Sequence, residues 1–340
     1  MFGRAAAVGM TGDMNQRTFH GDAEVSEIGM GCWQLGGTDW GDVSAEDALA
    51  ILRAAAAEGT TFFDTADVYG GGRSEELIGR FLRETTTPAF VATKLGRASD
   101  PGGPGNFTRE AVRAHTEASL TRLGVDALDL TQLHCIPEEE LVRGDVFGWL
   151  RELKAEGKIR RFGASVESMS EALICLRQDG LASLQIIFNI FRQKPIRALF
   201  DQAQDKDVAI IVRLPLASGL LSGKYNADTQ FAPSDHRSYN RDGQAFNVGE
   251  TFAGLPFNRG VALADALKPL VPAGMTMAQM ALHWCLDFPA VTTVIPGAKN
   301  PDMARANAQA SALPPLPPAL HAELARFYTD HVEAGIRGPY

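Results

Sequence analysis

The sequence predicts a single (β/α)8 barrel. Three observations carry this: short apolar runs alternate with amphipathic helical segments, the alternation repeats eight times, and no Gly-x-Gly-x-x-Gly turn follows an early strand. Strands alternating with helices imply parallel pairing, because a crossover helix returns the chain to the same end of a sheet. The rival is an open doubly wound sheet, whose dinucleotide fingerprint is the missing glycine turn. A chain of 340 residues fits one such domain, residues 1–340, with extensions at both ends.

The elements follow in order. "EIGMGCWQL" precedes "SAEDALAILRAAAAEG", whose apolar positions recur every three or four residues after a Ser44 cap. "TTFFDT" leads to "SEELIGRFLRE", with Ser74 expected as its cap. "AFVATKLG" leads to "TREAVRAHTEASLTRLG", where Thr108 caps the start and Gly124 stops the helix. "ALDLTQLH" pairs with "VFGWLRELKAEGK", "IRRFGAS" with "SMSEALICLRQDG", and "SLQIIFNIF" with "PIRALFDQAQDKD". "VAIIVRLPL" is followed by the region up to "MAQMALHWCLD", and "AVTTVIPG" by "DMARANAQA". The seventh unit contains a long loop, residues 225–258, for which a lid and a surface excursion both fit. After "LPPLPP", the amphipathic "ALHAELARFYTDHV" is expected to pack outside the barrel as an extra C-terminal helix.

Composition narrows the function. A formal net charge of -9 without a Lys/Arg run argues against nucleic acid as a partner. No stretch approaches the apolar length of a membrane span, and "MFGRAAAVGM" lacks the apolar centre of a signal peptide. Residues 1–15 read as a loose leader, with Met14 as an alternative start. Cys32, Cys135, Cys175 and Cys285 are scattered, form no CxxC pair, and read as reduced thiols of a cytoplasmic protein.

In a barrel of this kind the active site lies at the C-terminal strand ends, so polar residues just past apolar runs are placed where chemistry occurs. The second strand ends at Asp64 with Tyr69 in the loop beyond it, the third carries Lys94, and the fourth ends at His134. A buried ammonium needs a carboxylate partner, and a phenol beside that cation is expected to ionise more easily than its unperturbed pKa of about 10 suggests. The set has the logic of general acid catalysis at a carbonyl oxygen: Tyr69 donates, Lys94 depresses its pKa, Asp64 balances Lys94, and His134 orients the oxygen. Neither HExxH nor a Cys/His cluster is present to hold a metal. Trp33 and Trp40, after the first strand, are expected to wall the substrate pocket together with Tyr69 and His134.

These residues resemble the aldo-keto reductase superfamily, whose pattern is Asp and Tyr in "FDTA..YG", Lys in "..TK.G" and His in "D..Q.H". The likeness runs from "IGMGCW" to "IPGAKN". It implies the (β/α)8 fold and a nicotinamide cofactor, NADP(H) in preference with NAD(H) as the alternative. It also implies cofactor roles for Asp64, for Ser165 and Gln185 at the carboxamide, and for Pro215, Leu216, Gly219, Leu221 and Lys224 in the pyrophosphate loop. The Asn that commonly follows the serine is Val166 here. Many members carry a Tyr where Arg213 stands, so Arg213 is expected to stack on the nicotinamide, the alternative being an ion pair at the barrel rim. At the adenosine end Gly297, Ala298, Met303 and Asn307 occupy the family's binding positions. Gly297, Ala298 and Met303 replace the usual Lys, Ser and Arg, while Lys299 and Arg305 keep positive charge for a 2′-phosphate.

The leading expectation is a reductase that moves a hydride between nicotinamide and a carbonyl carbon of an aldehyde, ketone or sugar. An aldose 1-dehydrogenase would use the same residues with Tyr69 as base. A non-catalytic nucleotide-binding auxiliary protein, and a barrel aldolase with Lys94 as a Schiff-base amine, complete the alternatives.

Overall fold

The computed structural model describes residues 14–340 apart from positions 22, 38, 42, 99 and 101, so all but the last two residues of the expected leader lie outside the described residues. The described chain begins with an unexpected hairpin. Strands β1 (Gln16–Phe19) and β2 (Ala23–Ser26) pair antiparallel, from Gln16 opposite Ser26 to Phe19 opposite Ala23. Phe19 is fully buried, and its ring lies 5.9 Å from that of Phe62 and 4.9 Å from that of Phe90. Phe62 and Phe90 open their barrel strands, so the hairpin plugs the N-terminal mouth with apolar surface.

Eight parallel strands follow: β3 (Met30–Gly31), β4 (Phe62–Asp64), β5 (Phe90–Leu95), β6 (Leu130–His134), β7 (Phe162–Ser165), β8 (Leu181–Ile187), β9 (Ala209–Arg213) and β10 (Val291–Val294). Each pairs with the next in sequence. The ring closes through parallel bridges between Ile28 and Val294 and between Gly31 and Gly297. Gly29 donates its N–H to Val294 O at 2.8 Å across this seam. Strands covered on both faces read as unbroken apolar runs, which is why they were visible in the sequence.

The outer layer consists of α1 (Ala45–Ala57), α2 (Arg73–Glu84), α3 (Arg109–Leu123), α4 (Glu138–Arg143), α5 (Asp145–Ala155), α6 (Met169–Cys175), α7 (Lys194–Ala198) and α8 (Phe200–Asp205). After β9 come α9 (His236–Tyr239), α10 (Phe257–Leu267) and α11 (Met277–Leu286), and after β10 come α12 (Pro301–Ala308) and α13 (Pro318–Phe327). Ser44 and Thr108 cap α1 and α3 as expected, and Gly124 ends α3 in the left-handed conformation. Ser74 does not cap α2. Gly72 does, and Ser74 lies inside the helix, where its buried hydroxyl donates to Cys32 O and accepts from Thr65. Among the described residues no helix is long and apolar enough to cross a membrane.

Candidate active site

The C-terminal mouth of the barrel brings Asp64, Tyr69, Lys94 and His134 together. Asp64 and His134 are the last residues of β4 and β6, and Lys94 is the penultimate residue of β5. Tyr69 sits in the turn between β4 and α2, and the glycines beside it explain its placement. Gly70 has φ +62° and packs so closely on the Gly36 backbone that a Cβ would come within 2.1 Å of Gly36 O. Only glycine takes both the left-handed backbone and this approach, so the turn is clamped over the strand ends.

Lys94 is buried. Its ammonium donates to Asp64 Oδ1, to Thr65 O at 2.8 Å and to Tyr69 OH at 3.3 Å. The other Asp64 oxygen accepts from Gln185 Nε2 at 2.7 Å and from Gln132 Nε2 at 3.2 Å. Asp64 is therefore fixed by two amides as well as by its counter-ion. Burial lowers the Lys94 pKa, but Asp64 and then Tyr69 more than offset it, so the amine is raised overall and stays charged. Burial, with the positive charges of Lys94, Arg97 and Arg213, pushes His134 well down and keeps its imidazole neutral. His134 meets Tyr69 edge to face at 5.8 Å, and its Nδ1 is buried without a hydrogen-bond partner among the described residues.

Tyr69 corrects one expectation. Its pKa is pushed up to about 12, because burial outweighs the pull of Lys94 and the Asp64 charge cancels part of that pull. The phenol is thus a protonated group with a cation waiting beside it.

These residues open into a cavity of about 670 Å³. Trp33, Trp40, Tyr69 and His134 line it, with Trp33 stacked on Tyr69 at 5.9 Å and Trp40 edge-on to Trp33 at 5.6 Å. Segment 225–258 forms its far wall through Tyr225, Phe231, Arg237, Tyr239, Phe246 and Glu250, so the segment acts as a cover rather than a surface excursion. Arg213 forms the rim ion pair: its guanidinium meets Glu250 Oε1 at 2.5 Å and donates to Val166 O at 3.0 Å. Cys135, Glu167 and Glu250 offer ligand atoms within 4.8 Å of one another. Arg213 already sits among them, 3.8 Å from Cys135 Sγ, so a cation there would have to displace a guanidinium.

Of the residues expected at the cofactor, Asp64, Ser165, Gln185, Arg213, Pro215, Leu216, Gly219, Lys224, Gly297, Lys299 and Met303 line the cavity. Leu221 and Ala298 are fully buried behind its wall, and Asn307 turns its amide onto Gly297 O at 3.1 Å. Gln185 approaches Ser165 Oγ at 3.5 Å but gives its amide N–H to Asp64. Gln132, Glu250 and Arg97 were not singled out from the sequence. A signal existed for Gln132, which stands two residues before His134 on the same face of β6.

A parallel eight-stranded barrel with a buried Asp–Lys pair under a tyrosine hydroxyl at its C-terminal mouth is the frame of a barrel enzyme acting on small molecules. The chain belongs to the aldo/keto reductase family, whose model matches residues 27–329. The aldo-keto reductase YhdN of Bacillus subtilis is 30% identical over 288 residues, covering 82% of each chain. Among solved structures, the glycerol dehydrogenase AKR11B4 from Gluconobacter oxydans matches with a TM-score of 0.76 at 28% identity, covering 96% of this chain and 98% of its own. An aldo/keto reductase from Klebsiella pneumoniae, solved with NADP and acetate, matches with a TM-score of 0.68 at 25% identity, covering 92% and 95%. The protein is an oxidoreductase of this family, and its cofactor is the nicotinamide dinucleotide the sequence led us to expect.

The cavity suits that cofactor. The loop after β9 turns tightly through Ala217, Ser218 and Gly219, whose φ values are 49°, 56° and 97°, and it gives the Ala217 and Gly219 N–H groups to Leu214 O at 3.0 Å and Leu216 O at 2.9 Å. Lys224 beside them has no ion pair among the described residues. Lys299 is paired only loosely, 4.0 Å from Asp235.

Proposed function

We propose that the protein reduces a carbonyl group, with Tyr69 donating the proton to the carbonyl oxygen. The contact that supports this most directly is the 3.3 Å approach of Lys94 Nζ to Tyr69 OH, with Asp64 holding the amine in place. Bound reduced nicotinamide supplies the hydride. As Tyr69 gives up its proton, the adjacent ammonium meets the phenolate charge that forms, which lowers the barrier to transfer. Neutral His134 is placed to hydrogen-bond the substrate oxygen and orient it. Ser165 and Gln185 are the side chains that would hold the carboxamide, Lys224 the pyrophosphate, and Lys299 the adenosine end.

An aldose 1-dehydrogenase would need Tyr69 ionised as its base, and a phenol pushed up to about 12 makes that direction depend steeply on pH. Alcohol oxidation, as in the name of the glycerol dehydrogenase relative, would use the same residues in reverse. A Schiff base on Lys94 is disfavoured, because Asp64 keeps the amine protonated. The test is carbonyl-dependent loss of NADPH absorbance. Tyr69→Phe is expected to lower kcat by about 10²- to 10⁴-fold while NADPH still quenches tryptophan fluorescence. Equal rates in wild type and variant would sink the assignment.

A further inference from the structure

Most cations in the cavity wall already have a carboxylate. Arg213 pairs with Glu250, Arg237 with Asp235 at 2.5 Å, and Lys299 loosely with Asp235. Lys94, behind the wall, pairs with Asp64. Two lining side chains, Lys224 and Arg97, have no ion pair or hydrogen bond with any described residue. Lys224 follows β9 beside the left-handed run and is accounted for by the cofactor. Arg97 is not. It lies three residues past Lys94, partly buried, in the loop that leaves β5.

The barrel's strand order separates the two. Apart from Asp64, the residues expected at the cofactor (among them Ser165, Gln185, Gly219, Lys224 and Lys299) lie in β7 to β10 or the loops after them. Trp33, Trp40, Tyr69, Arg97 and His134 belong to β3 to β6 and the loops after them, on the other half of the mouth. Arg97 is close enough to His134 and to Glu167 for its charge to act on both, although it forms no ion pair with the Glu167 carboxylate. The carboxylates that line the cavity on this half are engaged: Asp64 pairs with Lys94, and Asp39 accepts from Trp33 Nε1 at 3.0 Å and from Tyr239 OH at 2.7 Å. A partly desolvated guanidinium with open N–H groups, on a wall it shares with the rings of Trp33, Trp40, Tyr69 and His134, is complementary to a ligand with a flat apolar body and a carboxylate.

We infer that Arg97 anchors a carboxylate of the substrate, so that the preferred substrates are carbonyl compounds bearing an acid group on an apolar or aromatic body. This rests on the reading of Tyr69 as the proton donor to a carbonyl. Arg97 sets specificity and takes no part in proton or hydride transfer.

The experiment compares para-carboxybenzaldehyde with para-tolualdehyde as substrates of the full chain with NADPH. It is accompanied by fluorescence titration of the NADP-bound protein with benzoate and by NADPH titration of each variant. Wild type is expected to favour the acid in kcat/KM. Arg97→Ala should shrink that preference by about tenfold or more and weaken benzoate binding in parallel, and Arg97→Lys should restore part of both. A wild-type preference for the neutral aldehyde, or a ratio unchanged in Arg97→Ala, would overturn the inference and leave the reductase reading standing. Loss of NADPH affinity in Arg97→Ala comparable to the loss of the acid would reassign Arg97 to the cofactor and overturn it as well. Benzoate binding that depends on Arg97 in a protein that turns over neither aldehyde would support the anion site and count against the reductase reading.

Discussion

Tyr69 shows how burial and a neighbouring charge compete at a single hydroxyl. The sequence places a cation beside it but says nothing of how far both are withdrawn from water, and that withdrawal sets the sign of the shift. With the phenol pushed up to about 12, the protonated form dominates at ordinary pH. Reductive kcat/KM is therefore expected to stay flat from about pH 6 to about pH 9, while alcohol oxidation rises roughly tenfold per pH unit over the same span. Rate profiles in both directions check this, and an alkaline fall in reduction below about pH 9 would count against it. Glu167 carries a second titration. Burial, and then the Glu250 charge, raise its carboxyl to about 7. A carboxyl raised on folding favours the folded state while protonated, and that contribution is lost as pH climbs through about 7. Glu167→Gln should accordingly melt close to wild type near pH 5 and higher near pH 8. The gain, on the order of 1 kcal/mol after allowance for partial exposure, is read from melting curves at the two pH values.

At the scale of elements, legibility followed burial. The barrel strands were visible because both faces are covered, and Ser44, Thr108 and Gly124 were visible because capping is local chemistry. Asp64, Tyr69, Lys94 and His134 were visible because each stands at or just beyond the end of an apolar run. Ser74 was misread because the left-handed Gly72 starts the helix two residues earlier, freeing the hydroxyl to bridge Cys32 and Thr65. Glu250 lies in an aperiodic loop and gains its role only when that loop folds back onto Arg213, a contact between distant parts of the chain. The β1–β2 hairpin left almost no pattern, since its eight residues include Gln16, Arg17, Thr18 and Glu24 and only Phe19 and Val25 are large and apolar. Its value lies in that one phenylalanine. Phe19→Ala would empty the plug against Phe62 and Phe90 and is expected to destabilise the protein by about 3 kcal/mol in urea unfolding. A loss under about 1 kcal/mol would mean that the hairpin merely rests on the barrel.

For the molecule as a whole, the cover over the cavity is held from three directions. The loop after β3 holds it through Asp39, whose carbonyl accepts from His236 N at 2.9 Å and whose carboxylate accepts from Tyr239. The loop after β9 holds it through Ser218, which donates to Glu250 O at 3.2 Å and accepts from Phe252 N at 3.1 Å. The third hold is the C-terminal tail. Arg337 donates to Gly254 O at 2.9 Å and pairs with Asp242 at 2.8 Å. Arg192, buried below, donates to Pro339 O at 2.8 Å and reaches Ala253 O at 3.4 Å, with its guanidinium 4.1 Å from the centre of the Tyr340 ring. Tail and cover thus share one buried arginine, and removing the tail strips that cation of its best acceptor and its aromatic face. Deleting residues 336–340 is therefore expected to loosen segment 225–258 without unfolding the barrel, whose strands the tail does not pair with. Trypsin should then cut at Lys224 and Arg241 several-fold faster than in wild type. NADPH should slow that cutting, because it would lie beneath the cover and bind best when the cover is closed. The KM for NADPH should rise more than kcat falls, since the tail touches none of Asp64, Tyr69, Lys94 or His134. Equal cleavage rates in the two proteins would show that the anchors at Asp39 and Ser218 suffice and that the tail only covers Arg192.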